Sequence, residues 1–134
     1  MLSPQEALVY TMVVAAEADH EIAEAEINVI GDLANHLPVF QAVGRTKMTA
    51  MAMACSELLT KAGGRAKVFA MIRKALPSQL RDTAYALACD VIAVDSRLRR
   101  DELQALEEIR AELDVDPVVA RAIEQAAKVR FQAA

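Results

Sequence analysis

A ten-residue phrase occurs twice in this chain, and each copy stands where one helical pattern ends and the next begins. Ala18-Asp19-His20-Glu21-Ile22-Ala23-Glu24-Ala25-Glu26-Ile27 returns as Val94-Asp95-Ser96-Arg97-Leu98-Arg99-Arg100-Asp101-Glu102-Leu103. The shared pattern is an acid, an aliphatic three positions on, a glutamate four further, then another aliphatic. The register continues, with Ile30 answering Leu106, so the repeat phrases span 18–30 and 94–106. A chain built this way is expected to contain the same helix-turn-helix hairpin twice.

Helical periodicity runs through the rest of the sequence, and no segment alternates with period two over the length of a strand. Ser3-Pro4 opens the first helix, with serine as cap and proline in the first turn, where its missing N–H costs nothing. Leu8, Met12, Val13 and Ala16 recur at helical spacing to about Ala18. The second helix is expected from Ala23 to about His36, burying Ile27, Ile30 and Leu33, and Leu37-Pro38-Val39-Phe40 forms a turn. A third, from Thr46 to Thr60, carries Met48, Met51, Cys55, Leu58 and Leu59, and Gly63-Gly64 ends it. The fourth covers Arg65 to Ala75, with Val68, Phe69 and Ile72 on one face. Leu76-Pro77-Ser78 resets the chain for a fifth helix with Leu80, Ala84, Leu87, Ala88 and Val91. The sixth, Arg99 to about Leu113, is expected to turn Leu103, Leu106 and Ile109 inward. Asp116-Pro117 starts a seventh that ends near Phe131. The fold class is therefore all-α: a compact bundle of about seven helices in one domain, 1–134, with an internal helix-hairpin pseudo-repeat. If successive helices run antiparallel, both repeated junctions lie at the same end of the bundle.

Composition narrows the functional classes. The 134 residues are 54% hydrophobic, with four Gly and four Pro, enough for a real core and too few breakers for disorder. The net charge of −4 argues against a generally cationic nucleic-acid binder. The longest apolar run, Ala7 to Ala16, is too short to span a bilayer, and the N-terminus lacks a signal peptide's basic start. Cys55 and Cys89 lie in apolar helical stretches and read as small buried hydrophobes. A cytoplasmic protein is the expectation. No phosphate-cradling motif and no Ser-His-Asp or Cys-His grouping is present, so no enzymatic activity is expected.

The repeated phrase, with Ala18, Asp19, Ile22, Glu26 and Ile27 in one copy and Asp95, Leu98, Glu102 and Leu103 in the other, resembles the hallmark of the tellurite-resistance TerB family. The same helical module occurs in some DnaJ-type co-chaperones. The likeness covers helix order and spacing from Leu8 to about Leu113. The glycine that follows the family's aspartate is His20 here and Ser96 in the second copy, which implies a changed turn. The resemblance implies a role in tellurite or general stress response, metal binding by the acids, and no known catalysis.

Read without the family, Asp-x-x-aliphatic-x-x-x-Glu matches the second half of a calcium-binding helix-loop-helix. The earlier ligand positions would be Ala15 and Glu17, or Val91 and Ala93, most of which cannot donate an oxygen, so a complete EF-hand is excluded. The first copy still gathers Glu17, Asp19, Glu21, Glu24 and Glu26 without a Lys or Arg among them. Carboxylates of this kind suit calcium, magnesium or manganese. Asp19 and Glu26 are the leading metal candidates, and Asp95 and Glu102, beside three arginines, their weaker counterparts. The competing reading is structural: a glutamate in a helix's first turn bonds backbone N–H groups and complements the dipole. Function divides accordingly between a cation-binding module that contacts protein partners and an interaction scaffold without a metal.

Three other features carry bland readings. Met48, Met51, Met53 and Cys55 are expected to pack in the core rather than bind a soft metal. His20 and His36 lack a third ligand at useful spacing. Lys61, Arg65, Lys67, Arg73, Lys74 and Arg81, next to Gly63-Gly64, could receive an anion, against the simpler reading of a solvated helix face.

Overall fold

The computed structural model describes residues 1–17, 28, 30–32, 35–94 and 100–132. They form an all-α bundle: α1 (Pro4–Ala16), α2 (described at residues 28, 30–32 and 35), α3 (Arg45–Leu59), α4 (Gly64–Ala75), α5 (Arg81–Val94), α6 (Arg100–Leu113) and α7 (Pro117–Arg130). Single 3-10 turns lie at Pro38–Phe40 and Ser78–Leu80. There is no β-strand among the described residues, and none of their helices is long and apolar enough to cross a membrane.

The first helix is the axis of the fold. A Ser3–Glu6 capping box opens it: the Glu6 amide donates to Ser3 Oγ at 3.1 Å, and the Ser3 amide donates to Glu6 Oε1 at 2.9 Å. Every residue from Ala7 to Ala15 is then buried. The spacing of Leu8, Met12, Val13 and Ala16 predicts the helix, and the structure encloses the length of α1 from Ala7 to Ala15 on all sides. It packs against α3, α4, α5 and α6. The sequence tolerates this because Ala7–Ala16 contains no charge, and a helix apolar all round belongs inside. Its one aliphatic hydroxyl in that stretch, Thr11, is fully buried and donates to the Ala7 carbonyl one turn back at 2.8 Å.

Around this axis, α5 packs most extensively on α1 and also carries α6 and α7. The helices that precede the two copies of the phrase, α1 and α5, are thus neighbours. The junctions themselves, at 18–27 and 95–99, lie outside the described residues. Ile30 of α2 is buried, whereas Ile27 and Leu33 are outside the described set. Gln5 Nε2 donates to the Val39 carbonyl at 3.3 Å, tying the start of α1 to the turn at Pro38–Phe40.

The connections show why particular residues occupy them. Gly63 has φ +70°, the left-handed region that glycine enters most cheaply. Gly64 begins α4 so close to the end of α3 that an added Cβ would lie 2.0 Å from the Leu58 carbonyl oxygen. At the end of α6, Asp114 takes φ 55°. Its amide donates to Ala111 O at 3.2 Å and the Val115 amide to Arg110 O at 3.1 Å, the double closure of a Schellman cap. Asp116 then caps α7, accepting from the Val118 and Val119 amides at 2.8 and 3.3 Å.

Two opposite glycine effects are expected in urea unfolding. Gly64→Ala forces backbone apart and should destabilise by about 1–3 kcal/mol. Asp114→Gly and Ala42→Gly, which relieve left-handed backbone at Asp114 and at Ala42 (φ 71°), should each stabilise by up to about 1 kcal/mol.

Candidate functional site

Of the four acids that the repeat singles out, Glu102 lies among the described residues, while Asp19, Glu26 and Asp95 lie outside them. Glu102 occupies the first turn of α6 and is only 5% exposed. The sequence reading put its neighbour Leu103 inward, and that expectation is corrected: Leu103 is 49% exposed. The cause is helical phase. At about 100° per residue, Glu102 falls roughly 20° from the direction of Leu113, while Leu103 falls roughly 80° away on the other side. The buried face of α6 is Glu102, Ala105, Leu106, Ile109 and Leu113. A carboxylate therefore stands at the N-terminal end of an otherwise apolar face, in line with its buried aliphatics. Extending the Ile109–Leu113 line backwards along the helix would have found it.

Glu17, the acid just before the other copy, is the C-cap residue of α1. It reaches across to α3, where Ser56 Oγ donates to its Oε1 at 2.5 Å. Its charge also bears on Cys55, whose thiol is pushed well above its ordinary value, chiefly by burial and secondarily by Glu17. Among the described residues no three His, Cys, Asp or Glu side chains come together as a metal-ligand group.

The sulfur and basic clusters separate into ordinary roles. Met48 and Cys55 are buried in the core, Met51 is half-buried and Met53 is exposed. The Cys55 thiol faces the Tyr10 carbonyl at 3.8 Å. In the basic stretch, Arg65 and Arg73 of α4 pair with Glu108 and Glu112 of α6. Arg65 also lies over the Phe69 ring, 5.6 Å from its centre. The Gly64 amide donates to the Lys61 carbonyl at 2.9 Å, so it is already engaged within the turn. Lys61, Lys67 and Lys74 are solvated. His36 is exposed in a turn, and His20 is outside the described residues.

One polar seam had no signal in the sequence reading. The buried Tyr85 of α5 donates its hydroxyl to Glu124 Oε2 of α7 at 2.6 Å, and Arg110 Nη1 lies 4.0 Å from the same oxygen. Next along the seam, Asp90 pairs with Arg130. Cys89, one turn from Tyr85, is buried beside them, and its thiol is pushed up to about 12. Burial is the main cause. Glu124 and Asp90 push the same way, while the Tyr85 hydrogen bond and Arg130 act against them. The Tyr85 phenol is raised as well, by burial first and then by its bond to Glu124. The seam fixes α7 on α5, and its thiol and phenol are held in their neutral forms, without the thiolate that nucleophilic or redox chemistry needs.

No family model, curated protein or solved structure matches the chain.

These environments set a pH dependence and a labelling pattern. The unfolded chain releases thiol and phenol protons at ordinary values near 9 and 10, while the folded chain holds them to higher pH. Stability should therefore be flat through neutrality and fall as pH rises above about 9, checked by urea titrations across that range. At neutral pH both cysteines should resist Ellman's reagent until the protein is unfolded, with labelling tracking global opening.

Proposed function

We propose that the chain is a non-enzymatic cytoplasmic module of stress or tellurite response that binds a divalent cation at its acidic helix junction and contacts protein partners. The observation that carries this reading is Glu102, a buried carboxylate on the inward face of the first turn of α6, in the register that the repeat shares with Glu26. In that low-dielectric setting a divalent ion attracts a carboxylate far more strongly than it would at the surface. The ligands proposed are Asp19 and Glu26 in the first copy and Asp95 and Glu102 in the second. Oxygen ligands select calcium, magnesium or manganese. The first copy is the stronger site, because its five carboxylates have no Lys or Arg among them. The resemblance of both phrases to the TerB family supports the same assignment and supplies the stress-response context. In this mechanism the ion ties the junction that follows α1 and so steadies the surface offered to a partner.

A second reading rests on the position of Glu102 in the first turn of α6. There a carboxylate complements free backbone N–H groups and the helix dipole. On that reading the repeated acids shape two turns of an interaction scaffold that needs no metal.

Thermal unfolding of chelator-stripped protein separates the two. With calcium, magnesium or manganese at about a hundredfold its dissociation constant, the cation reading expects a gain of about 2.7 kcal/mol, seen as a raised midpoint. That rise should disappear in Glu26→Gln and shrink in Glu102→Gln. An unchanged midpoint with all three ions overturns the cation reading in favour of the scaffold.

A further inference from the structure

The last helix has two apolar faces, and the bundle uses one of them. Ala120 and Ala127 of α7 are buried, with Ile123 packed beside them. On the opposite side Val118, Ala122, Ala126 and Val129 run along the helix at spacings of four, four and three, all exposed. Val118 is 78% exposed and Val129 64%. An ordinary surface helix keeps charge on its outer side. Here the outer line carries no charge over three turns.

Two cations line the length of this face, and the exposed carboxylate of Asp116 stands at its N-terminal end, taken up by the helix cap. Arg121 and Lys128 lie along one edge, both exposed, and neither pairs with a carboxylate among the described residues. The single acid of α7, Glu124, is half-exposed on the flank that meets α5, where it takes the Tyr85 hydrogen bond and lies 4.0 Å from Arg110. The outer line is thus apolar with a cationic edge, on a protein whose net charge is −4.

We infer that the outer face of α7 docks an amphipathic helix with acidic flanks, supplied by a partner protein. The side chains decide among occupants. Alanines at 122 and 126 let a second helix backbone approach closely, and the valines at 118 and 129 grip its apolar stripe at either end. Arg121 and Lys128 would meet glutamates or aspartates on its flank. A second copy using the same face would set these cations against one another, which disfavours self-pairing. Membrane-surface helices rely on larger side chains such as Trp, Phe and Leu on the inserted face, and this line has Val and Ala alone. The inference deepens the partner half of the function proposed above and is independent of its cation half.

The test is fluorescence anisotropy, in chelator, with a labelled synthetic helix bearing Leu at a and d positions and Glu at e and g. A twin peptide with Lys at e and g is the control. The acidic peptide should bind at least about tenfold more tightly. Val118→Asp with Val129→Asp should abolish that binding without moving the thermal midpoint, because both side chains are solvent-exposed. Arg121→Glu with Lys128→Glu should invert the preference towards the lysine peptide. Equal binding of the two peptides, or binding indifferent to these substitutions, overturns the inference. So does a concentration-dependent dimer lost in Val118→Asp, or capture by phosphatidylcholine–phosphatidylserine vesicles through the same residues. Because chelator is present, failure here leaves the metal-dependent midpoint to be judged on its own.

Discussion

Removal of α1 from water on every side is the condition on which the rest of the bundle depends. Leu8, Val9, Met12, Val13 and Val14 are all fully buried, and each such side chain contributes about 1.5–3 kcal/mol. The ion pairs between the outer helices, such as Arg65–Glu108 and Arg73–Glu112, are half-exposed. Pairs of that kind contribute about 0–1 kcal/mol each. One buried leucine therefore outweighs any of them. The pairs fix how α4 sits against α6, and the apolar axis supplies the free energy that holds both there. An axis closed on all sides also needs its polar groups satisfied locally, and the Thr11 bond to Ala7 and the capping box at Ser3 do this.

Most of this architecture was legible in the sequence, for reasons that are local. Ser3-Pro4 and Asp116-Pro117 start helices as their capping chemistry dictates, and the boundaries of the helices described end to end fall within about two residues of those expected. Cys55, Cys89, Val68, Phe69 and Ile72 are buried as their spacing predicts. The full enclosure of α1 was not legible as such. Periodicity within one helix records which of its faces is apolar, whereas enclosure depends on how many neighbours surround it. The Tyr85–Glu124 seam was invisible for a similar reason, since it joins positions 39 apart in sequence that no local pattern connects.

Glu102 and Leu103 expose the limit of reading by hydrophobicity. Leucine is the better core residue, and a pattern search gives it the inward position. Phase decides otherwise: α6 is anchored by Ile109 and Leu113, both essentially inaccessible to solvent, and rotating it to bury Leu103 would draw those two toward water. Two large aliphatics at one end of a rigid helix fix the orientation of the other end, whatever residue stands there. The acid of the repeated phrase is carried inside by the packing of residues that follow it. Its burial is thus a consequence of the fold, and whatever the carboxylate does is done in that environment.

The same geometric constraint acts on α7 with the opposite result. Its small inward residues, Ala120 and Ala127, let it sit close to α5, and the Tyr85–Glu124 bond locks its rotation. With rotation fixed, Val118 and Val129 have no route inward. Glu124, one turn on from the buried Ala120, falls at the seam with α5 and off the Val118–Val129 line, half-exposed. Glu102 is buried and Glu124 is held half-buried in the seam, and on each helix the phase that puts the acid there leaves an apolar residue outside.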